Sequence, residues 1–483
     1  MKEANLKDLL VNIDVLDTKG DLDCQILGLS ISSNSVEEGH IFFALVGEKT
    51  DGHLYIDSAI KNGTKVIVCE KFPENILDEI VYIKVKDSKK ALAIIASDFY
   101  ENPSSSFKLL GVTGTNGKTT VATLLYNLFS KLGYKCGLIS TVGDKVIDKD
   151  TMTKRITFTT PDSISLNKMF AEMRDAGCTY VFMEASSHAL EFERMNGVVF
   201  AGGIFTNLTH DHLDFHKSFE NYRDAKKKFF NILPENTFAL SNIDDPSGEY
   251  VLRDTKAKKY FYGLKDSPSN TSGHNPEFTG DFETKLIGEF NMYNMLAVYA
   301  TAVLLGQDKE KVKDIIKNLD GAPGRFESIK SNTGVTGVVD YSHTPDALEN
   351  VLKTIHQIVV KPLSKIITVV GCGGDRDKAK RPVMAKIGYD LSDILILTSD
   401  NPRTEKAEDI LNDMRVGISS MPQEKVYVIS DRHEAIEKAC ELAKHGDYIL
   451  LAGKGHEDYQ EINGKKTHFS DMEELKNCFD KMI

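Results

Sequence analysis

The sequence predicts an α/β protein of three domains. Its 483 residues are too many for one hydrophobic core, since a domain averages roughly 150 residues. Short apolar runs of strand length alternate with segments whose apolar residues recur every three or four positions, as in helices that cover a parallel sheet. A glycine-rich loop lies between one such strand and one such helix. We place the domains at 1–105, 106–326 and 327–483.

The first domain is predicted to be a small α/β unit, with strands at 41–46 and 65–69. The turn-forming segment 101–106 would link it to the central domain, and the Gly-Ala-Pro-Gly at 321–324 would mark the second boundary. Residues 267–276 have the composition of a surface loop.

A phosphate-binding loop is predicted at 111–120, Gly-Val-Thr-Gly-Thr-Asn-Gly-Lys-Thr-Thr, which follows the apolar run 107–110 and precedes a helical pattern over 121–129. Glycines let backbone N–H groups approach phosphate oxygens. Lys118 adds a positive charge, and the Thr119 hydroxyl can bind Mg²⁺ at the helix N-terminus. The segment therefore predicts an ATP site.

This loop contains only part of the strict G-x-x-x-x-G-K-[ST] pattern. Val112 stands where that pattern has its first glycine, so the shorter core from Gly114 to Gly117 and the following lysine and threonine carry the prediction. The alternative is a glycine-rich turn with a surface lysine.

Composition excludes several classes of protein. The chain carries 59 Lys and Arg against 71 Asp and Glu, a net charge of −12, which argues against a nucleic-acid or anionic-membrane binder. Its seven cysteines are scattered without a C-x-x-C pair, as expected of reduced thiols in the cytosol. No apolar run approaches the ~18 residues of a membrane span, and the N-terminus lacks a signal-peptide pattern. We expect a cytoplasmic protein without stable membrane association.

Two further signals lie in the central domain. Glu184 comes directly after the predicted strand 180–183, where it could hold a metal beside the phosphates or simply cap a loop. Residues 209–216 contain three histidines and two aspartates. Without cysteines nearby, Mg²⁺ and anion binding is a better interpretation of this cluster than zinc.

Lys226 is unusual among the three lysines of the predicted helix 222–230. Tyr222 lies four positions before it and Phe229 three positions after it, so Lys226 projects from the apolar face, whereas Lys228 has polar neighbours. Burial favours the neutral amine and can make a lysine chemically special. The alternative is that its ammonium reaches back to water.

The C-terminal domain is predicted to be doubly wound and Rossmann-like, with strands at 366–370, 394–397, 426–429 and 448–452. Charged or glycine-rich loops follow three of these strands, at 371–378, 400–403 and 453–458. Taken singly, each loop is an ordinary turn. Taken together at one sheet edge, they predict a pocket for a zwitterion, with guanidinium for its carboxylate and carboxylate for its ammonium.

Motifs along the whole chain resemble those of the Mur ligases. They lie at 114–120, 184–188, 211–214, 291–294, 324–327, 340–346 and 453–457. The resemblance implies an N-terminal UDP-binding domain, a central ATPase domain and a C-terminal amino-acid domain. It also implies an ATP-dependent ligase of peptidoglycan precursor synthesis, which joins an amino acid to a UDP-N-acetylmuramoyl peptide through an acyl phosphate.

The resemblance also implies roles for residues around ATP. The implied nucleotide contacts are Gly114, Thr115, Asn116, Gly117, Lys118, Thr119, Thr120, Asn294, Arg325 and Asp340. The implied Mg²⁺ ligands are Thr119, Glu184, His212 and a carbamylated Lys226. The implied catalytic residues are Lys118, Glu184, His212, Lys226 and His343.

Two substrate sites follow from the same resemblance. UDP-N-acetylmuramoyl-L-Ala-D-Glu would contact Ser33, Thr159, Thr160, Pro161 and Ser187. The added amino acid would contact Arg376, Asp400, Asn401, Arg403, Gly453 and Glu457. The Asp-Asn-Pro-Arg at 400–403 matches the subgroup that uses meso-diaminopimelate, since lysine-adding relatives usually lack this arginine. The family's Asp-Ser-Arg in the first domain is here Ser-Ser-Asn at 32–34.

Other functions remain open at this point. They are a lysine-adding ligase, a ligase like folylpolyglutamate synthetase, a kinase or motor-type NTPase, and a paralogue that binds muramoyl nucleotide without turnover. We expect small-molecule substrates, no nucleic-acid partner and a monomer.

Overall fold

The computed structural model describes residues 3–47, 50–151, 159–264, 276–280, 283–359 and 363–482. Sheets of five, eight and six strands follow one another along these residues. The predicted α/β class is confirmed, and the domain boundaries stay predictions. The loop expected at 267–276 lies almost entirely outside the described residues.

The first sheet has the order β2-β7-β6-β5-β4 and is parallel except for β2. The elements of this part are β1 (Ala4–Asn5), α1 (Leu6–Leu9), β2 (Val15–Lys19), β3 (Gln25–Ile26), β4 (Gly28–Ser30), β5 (His40–Phe43), α2 (Ile56–Lys61), β6 (Val66–Cys69), β7 (Val81–Val85) and α3 (Ser88–Phe99). Helix α3 packs its buried face on this sheet. Strand β5 ends at Phe43, so the strand predicted at 41–46 ends three residues earlier than expected.

The predicted linker at 101–106 is packed against the central domain. It contains a 3-10 helix, Pro103–Ser106, and follows Asn102 in the left-handed region at φ 49°. Ser104 is buried, and its hydroxyl accepts a hydrogen bond from the N–H of Val199 at 3.0 Å.

The central sheet has the order β11-β10-β9-β12-β8-β13-β14-β15. The six strands β9, β12, β8, β13, β14 and β15 run parallel to one another, whereas β10 pairs antiparallel with both β9 and β11. Its elements are β8 (Lys108–Thr113), α4 (Lys118–Lys131), β9 (Cys136–Ile139), β10 (Lys145–Val146), β11 (Lys149–Asp150), α5 (Ser163–Asp175), β12 (Tyr180–Glu184), α6 (Ser187–Glu191), β13 (Gly202–Phe205), α7 (Leu213–His216), α8 (Phe219–Asn231), β14 (Phe238–Asn242), α9 (Gly248–Val251), β15 (Lys258–Tyr262), α10 (Glu289–Leu304) and α11 (Lys309–Ile316). Helices α4 and α10 cover one face, and α5 and α8 the other.

The third sheet has the order β16-β17-β21-β18-β19-β20, parallel except for β16. Its elements are β16 (Glu327–Lys330), β17 (Thr336–Asp340), α12 (Pro345–Ile358), β18 (Ile366–Cys372), α13 (Lys380–Leu391), β19 (Ile394–Ser399), α14 (Ala407–Val416), β20 (Val426–Val428), α15 (Arg432–Leu442), β21 (Tyr448–Ala452), β22 (Tyr459–Ile462), β23 (Lys465–His468) and α16 (Asp471–Lys481). From β18 the chain adds β19 and β20 toward one edge of the sheet, and it then returns to insert β21 between β17 and β18. The order of the strands therefore reverses at β21. A crevice at the carboxyl ends of the strands is expected at such a point.

Two properties of the chain agree with the composition. All seven cysteines are free thiols. Among the described residues, no helix is long and apolar enough to span a bilayer.

Candidate functional site

The phosphate loop connects β8 to α4, as predicted. A Cβ added to Gly114, at φ +149°, would lie 1.9 Å from the Thr206 hydroxyl, and one added to Gly117, at φ +86°, would lie 2.6 Å from Asn294 Oδ1. Only glycine fits at either position. No side chain caps the N-terminus of α4, so its first N–H groups remain available to an anion.

Two ammonium groups are held by carbonyls of this loop. Lys118 Nζ donates to Gly114 O at 3.0 Å and to Thr115 O at 2.8 Å, and Lys226 Nζ donates to Gly114 O at 2.6 Å. Desolvation lowers the pKa of Lys118. Phosphate oxygens placed in the loop could replace these carbonyls as partners of the two lysines.

Glu184 and Thr119 meet beside the loop. Glu184 Oε1 accepts from the Thr119 hydroxyl at 3.0 Å and from the Thr141 N–H at 2.7 Å. Glu184 Oε2 is buried and has no hydrogen-bond partner among the described residues. Because a hydroxyl and a carboxylate with a spare oxygen suit a hard cation, this pair fits Mg²⁺.

The structure confirms the burial of Lys226 and contradicts the alternative that its ammonium reaches water. Its relative exposure is 1%, and Nζ lies 4.3 Å from the centre of the Tyr222 ring. Desolvation, reinforced by the charge of Lys118, lowers its pKa well below the usual value. Lys228 instead is 45% exposed and pairs with Glu191 at 2.8 Å. A buried lysine with a lowered pKa therefore lies on α8, beside the phosphate loop.

His212 lies in the same neighbourhood. Its Nε2 is 3.3 Å from Asp211 Oδ2, and its ring centre is 5.0 Å from that of His188. Desolvation lowers the pKa of His212 to about 3, with Asp211 opposing and Lys118 and Lys226 contributing. The neutral imidazole that results can bind a metal. Within the described part of the chain, no three His, Cys, Asp or Glu side chains cluster closely enough to form a complete metal site.

A cavity of about 430 Å³ opens between the central and C-terminal domains. Six of the predicted nucleotide contacts line it: Asn116, Gly117, Thr120, Asn294, Arg325 and Asp340. Asn116 Nδ2 donates to Asp346 Oδ2 at 2.9 Å, and Arg325 Nη2 donates to the Thr119 hydroxyl at 3.1 Å. The C-terminal part of the chain thus reaches the phosphate loop directly.

His343 follows the cavity-lining residue Tyr341 by two positions. Its Nδ1 is 2.9 Å from Tyr341 O, and its own carbonyl accepts from Lys380 Nζ at 2.9 Å. Desolvation and the charge of Lys380 lower the pKa of His343 to about 4. Burial raises the pKa of Asp340, with Arg325 opposing.

Part of the predicted muramoyl site also lies beside Glu184. The Thr160 hydroxyl donates to Glu184 O at 2.8 Å, and the Ser187 hydroxyl lies 3.0 Å from His216 Nε2. Pro161 is buried and Thr159 half-buried next to them. Ser33 is buried in the first domain, and no hydrogen bond described here links it to this group. The structure therefore brings together the central residues of the predicted set.

Three strand-end loops converge in the C-terminal domain, as predicted. Asn401 Nδ2 donates to Glu457 Oε2 at 2.7 Å, and the Gly453 N–H donates to Asp340 O at 3.0 Å. Arg403 Nη1 donates to Gly374 O at 2.8 Å.

The other members of this set differ in exposure. Asp400 is buried, and Arg376 is exposed and donates to the carbonyl of Asp375. The roles of all these residues stay predictions.

Sequence reasoning missed three side chains of these sites. Thr141 binds Glu184 from the loop just after β9, which is a strand-end position like that of Glu184 itself. Arg194 Nη1 donates to Thr160 O at 2.9 Å, and nothing in its local sequence indicates this contact. Lys454 lies within the motif at 453–457 and has 0% side-chain exposure, and the motif alone does not indicate a role for it.

Comparison with known proteins covers nearly the whole chain. The model described as "Mur ligase family, catalytic domain" matches 25–100, "Mur ligase middle domain" matches 112–302, and "Mur ligase, glutamate ligase domain" matches 324–455. Relatives from Bacteroides fragilis and Bacteroides thetaiotaomicron are 50% and 51% identical, each covering 98% of this chain and 99% of the relative. Both are named UDP-N-acetylmuramoyl-L-alanyl-D-glutamate–2,6-diaminopimelate ligase.

A solved structure of a protein with that same name is 30% identical over 100% of this chain and 99% of the other, with a TM-score of 0.66. The motifs, the order of the sheets and the full-length similarity agree. The chain belongs to the Mur ligase family.

Proposed function

We propose that this protein adds meso-diaminopimelate to the D-Glu carboxylate of UDP-N-acetylmuramoyl-L-Ala-D-Glu, with cleavage of ATP to ADP and phosphate. The observation that carries the proposal is the strand-end pocket of the C-terminal domain, with Asn401, Arg403 and Glu457 in place, in a chain about half identical to relatives named for this reaction. The free thiols suit the cytosol, where we place the reaction.

ATP would lie in the cavity between the two larger domains, with its phosphates on the loop 114–120. Lys118 would exchange the Gly114 and Thr115 carbonyls for phosphate oxygens. In a site with little water, a fixed positive charge at the phosphates stabilises the charge that moves during transfer.

The reaction would proceed in two steps. An oxygen of the D-Glu γ-carboxylate attacks the γ-phosphorus of ATP, the bond to ADP breaks, and an acyl phosphate forms. The amine of the added amino acid then attacks the acyl carbon, loses a proton, and phosphate leaves as the amide forms. Neither step needs a side-chain nucleophile.

Residues around the phosphates fit Mg²⁺, which when bound would neutralise phosphate charge. Thr119 and Glu184, with its spare Oε2, would hold one ion. His212 and Lys226 would hold a second, with Lys226 as a carbamate. The buried Lys226 suits this modification because its pKa is lowered, and the neutral form of the amine can add CO₂ and release a proton to give an oxygen anion.

The amino-acid pocket offers a reason for choosing diaminopimelate. Its far carboxylate, which lysine lacks, would pair with the Arg403 guanidinium through two parallel hydrogen bonds. The Glu457 carboxylate would bind the ammonium on the same carbon, and Asn401 Nδ2 would hold that carboxylate in place.

Phosphate release from ATP tests the proposal. Purified protein is given UDP-N-acetylmuramoyl-L-Ala-D-Glu with meso-diaminopimelate, L-lysine or L-ornithine. We expect release only when nucleotide and amino acid are both present, and fastest with meso-diaminopimelate. A preference for lysine would establish a lysine-adding ligase. No release with any amino acid would favour the non-catalytic paralogue, and release with a folate substrate and glutamate would favour the folylpolyglutamate-type ligase.

A further inference from the structure

Lys454 is a fully buried lysine at the base of the amino-acid pocket, with a side-chain exposure of 0%. It lies between Gly453 and Glu457, the two residues of this segment assigned to substrate. Burial of an ammonium group is costly unless it is paired and hydrogen-bonded. The surroundings of Lys454 therefore indicate what it does.

Its Nζ contacts four oxygens from two parts of the chain. They are Tyr459 O at 2.6 Å, Asn401 Oδ1 at 3.3 Å, Glu457 Oε2 at 3.4 Å and Asp400 Oδ1 at 3.6 Å. Asp400 Oδ1 is itself buried and accepts no hydrogen bond from the described residues. Lys454 is thus a cation beside this carboxylate, and the buried Arg432, which is paired with Asp471, acts on Asp400 and Glu457 as well.

Lys454 also fixes the orientation of the Asn401 amide. Asn401 Oδ1 accepts from Lys454 Nζ and from the Glu461 N–H at 3.0 Å. With two donors on its oxygen, the amide must point its nitrogen the other way, toward Glu457 Oε2 at 2.7 Å. Asn401, which holds the carboxylate proposed to bind the substrate ammonium, is therefore itself positioned by Lys454.

The same ammonium ties the β22–β23 hairpin to the loop 400–403. Lys454 binds the first residue of β22, the Arg403 N–H donates to Glu461 O at 3.0 Å, and the Asn463 N–H donates to Arg403 O at 2.7 Å. The backbone that carries the Arg403 guanidinium is held by this hairpin. Lys454 thus also supports the carboxylate end of the pocket.

The charges in this cluster match one substrate ammonium. Asp400 and Glu457, with one lysine between them, leave one net negative charge when all three are ionised. Burial and the charge of Asp400 raise the pKa of Glu457, and Lys454 opposes them. Without Lys454, Glu457 would keep the charge of Asp400 beside it and lose an opposing positive charge, so its pKa would rise further.

We infer that Lys454 is a positioning residue for the added amino acid: it holds the carboxylates of Asp400 and Glu457 side by side, keeps Asn401 oriented, and contacts no reacting atom. The inference rests on the proposed function, because it concerns the amino-acid site of that reaction.

Steady-state kinetics of Lys454→Met test it, with each of the three substrates varied in turn. We expect the KM for meso-diaminopimelate to rise at least about 30-fold, since one member of a buried charge cluster is removed. The KM values for ATP and muramoyl nucleotide should change less than about threefold. Lys425→Met is the control, because the half-buried Lys425 also donates to backbone carbonyls of this domain, at Tyr389 and Ser392, but lies before β20, away from the pocket.

A pH profile separates positioning from general damage. In Lys454→Met, the acidic limb of kcat/KM for the amino acid should move at least about one pH unit upward, because Glu457 must be ionised to bind the ammonium. Equal losses for all three substrates with an unmoved limb would overturn the inference.

The double variant Lys454→Met with Asp400→Asn covers the case in which the single variant does not fold. It restores one net negative charge, so we expect it to fold. Its KM for meso-diaminopimelate should be at least about fivefold below that of the single variant. If the single variant is unfolded, the KM of the double variant should be within about 30-fold of the wild-type value. A double variant that is unfolded or no better than the single one contradicts the inference. Wild type that releases no phosphate with meso-diaminopimelate would instead refute the proposed function.

Discussion

The phosphate loop and the amino-acid pocket both lie at the carboxyl ends of parallel strands, yet they hold their charged groups differently. At the phosphate loop, Lys118 and Lys226 donate to backbone carbonyls, and no carboxylate lies within ion-pair distance of either among the described residues. In the amino-acid pocket, Lys454 is surrounded by Asp400 and Glu457. The first site keeps positive charge available for an anion, whereas the second has balanced its charges almost fully before a zwitterion arrives.

Because the charges are held differently, the two sites should respond differently to mutation. A lysine held only by carbonyls can move to a ligand, so its loss should affect turnover more than folding. A charge inside a balanced cluster cannot be removed without disturbing its neighbours.

Lys118→Ala should lower ligation at least about 1,000-fold, because the fixed charge at the migrating phosphoryl group is lost. Phosphate release measures the effect, and an unchanged unfolding temperature is the control. Activity above a few per cent of wild type would contradict this role.

Lys226→Ala should be nearly inactive, by roughly 100-fold or more, because the proposed oxygen ligands for Mg²⁺ are lost. A small carboxylate such as acetate should restore part of the activity by supplying these oxygens. Lys228→Ala, on the exposed side of the same helix, should behave like wild type. Normal turnover by Lys226→Ala would mean that its burial is structural only.

Arg403→Ala should lose roughly 100- to 1,000-fold in kcat/KM for meso-diaminopimelate, from the ~2–5 kcal/mol of a broken buried charge pair. Discrimination against lysine should shrink, because an arginine without its carboxylate is what penalises lysine. The kinetics of both amino acids decide this. An unchanged preference would move specificity to another group, such as Arg376.

Glu405, which binds the loop 371–378 beside the amino-acid pocket, predicts a pH effect on the free energy of unfolding. Glu405 pairs with the buried Arg381 at 2.8 Å and accepts the Asp375 N–H, and these bonds lower its pKa to about 2. A carboxyl with a depressed folded-state pKa stabilises above its unfolded value, near 4.5, and loses this contribution as pH falls toward 2. We expect a loss of about 2 kcal/mol between pH 5 and pH 2.5 in urea unfolding. Glu405→Gln should flatten that dependence, and an equal dependence in the variant would exclude this pair as its source.

The sequence predicts correctly those features that depend on residues close together along the chain. The phosphate loop is one contiguous motif between a strand and a helix, and the burial of Lys226 follows from aromatic residues at helical spacing. The convergence of three separate loops followed from a general property of parallel sheets.

The rest depends on contacts between distant segments. Thr141 reaches Glu184 across 43 positions, and Lys454 meets Asn401 across 53. No local pattern specifies such pairs, because they are fixed only when the sheets are assembled. For the same reason the packing of the 101–106 linker could not be read from its turn-forming composition.

The contacts that cross the nucleotide cavity have a consequence for the timing of the cycle. Asn116 binds Asp346, Arg325 binds the Thr119 hydroxyl, and His456 Nε2 lies 2.9 Å from Thr141 O. The first and the third join the central domain to the C-terminal domain, and Arg325 lies at the boundary between the two domains. We expect these contacts to break when ADP leaves, so that release of ADP and separation of the two domains are one event. We therefore expect the slow step at saturating substrate to depend on solvent viscosity, as a diffusive motion does and a bond-making step does not.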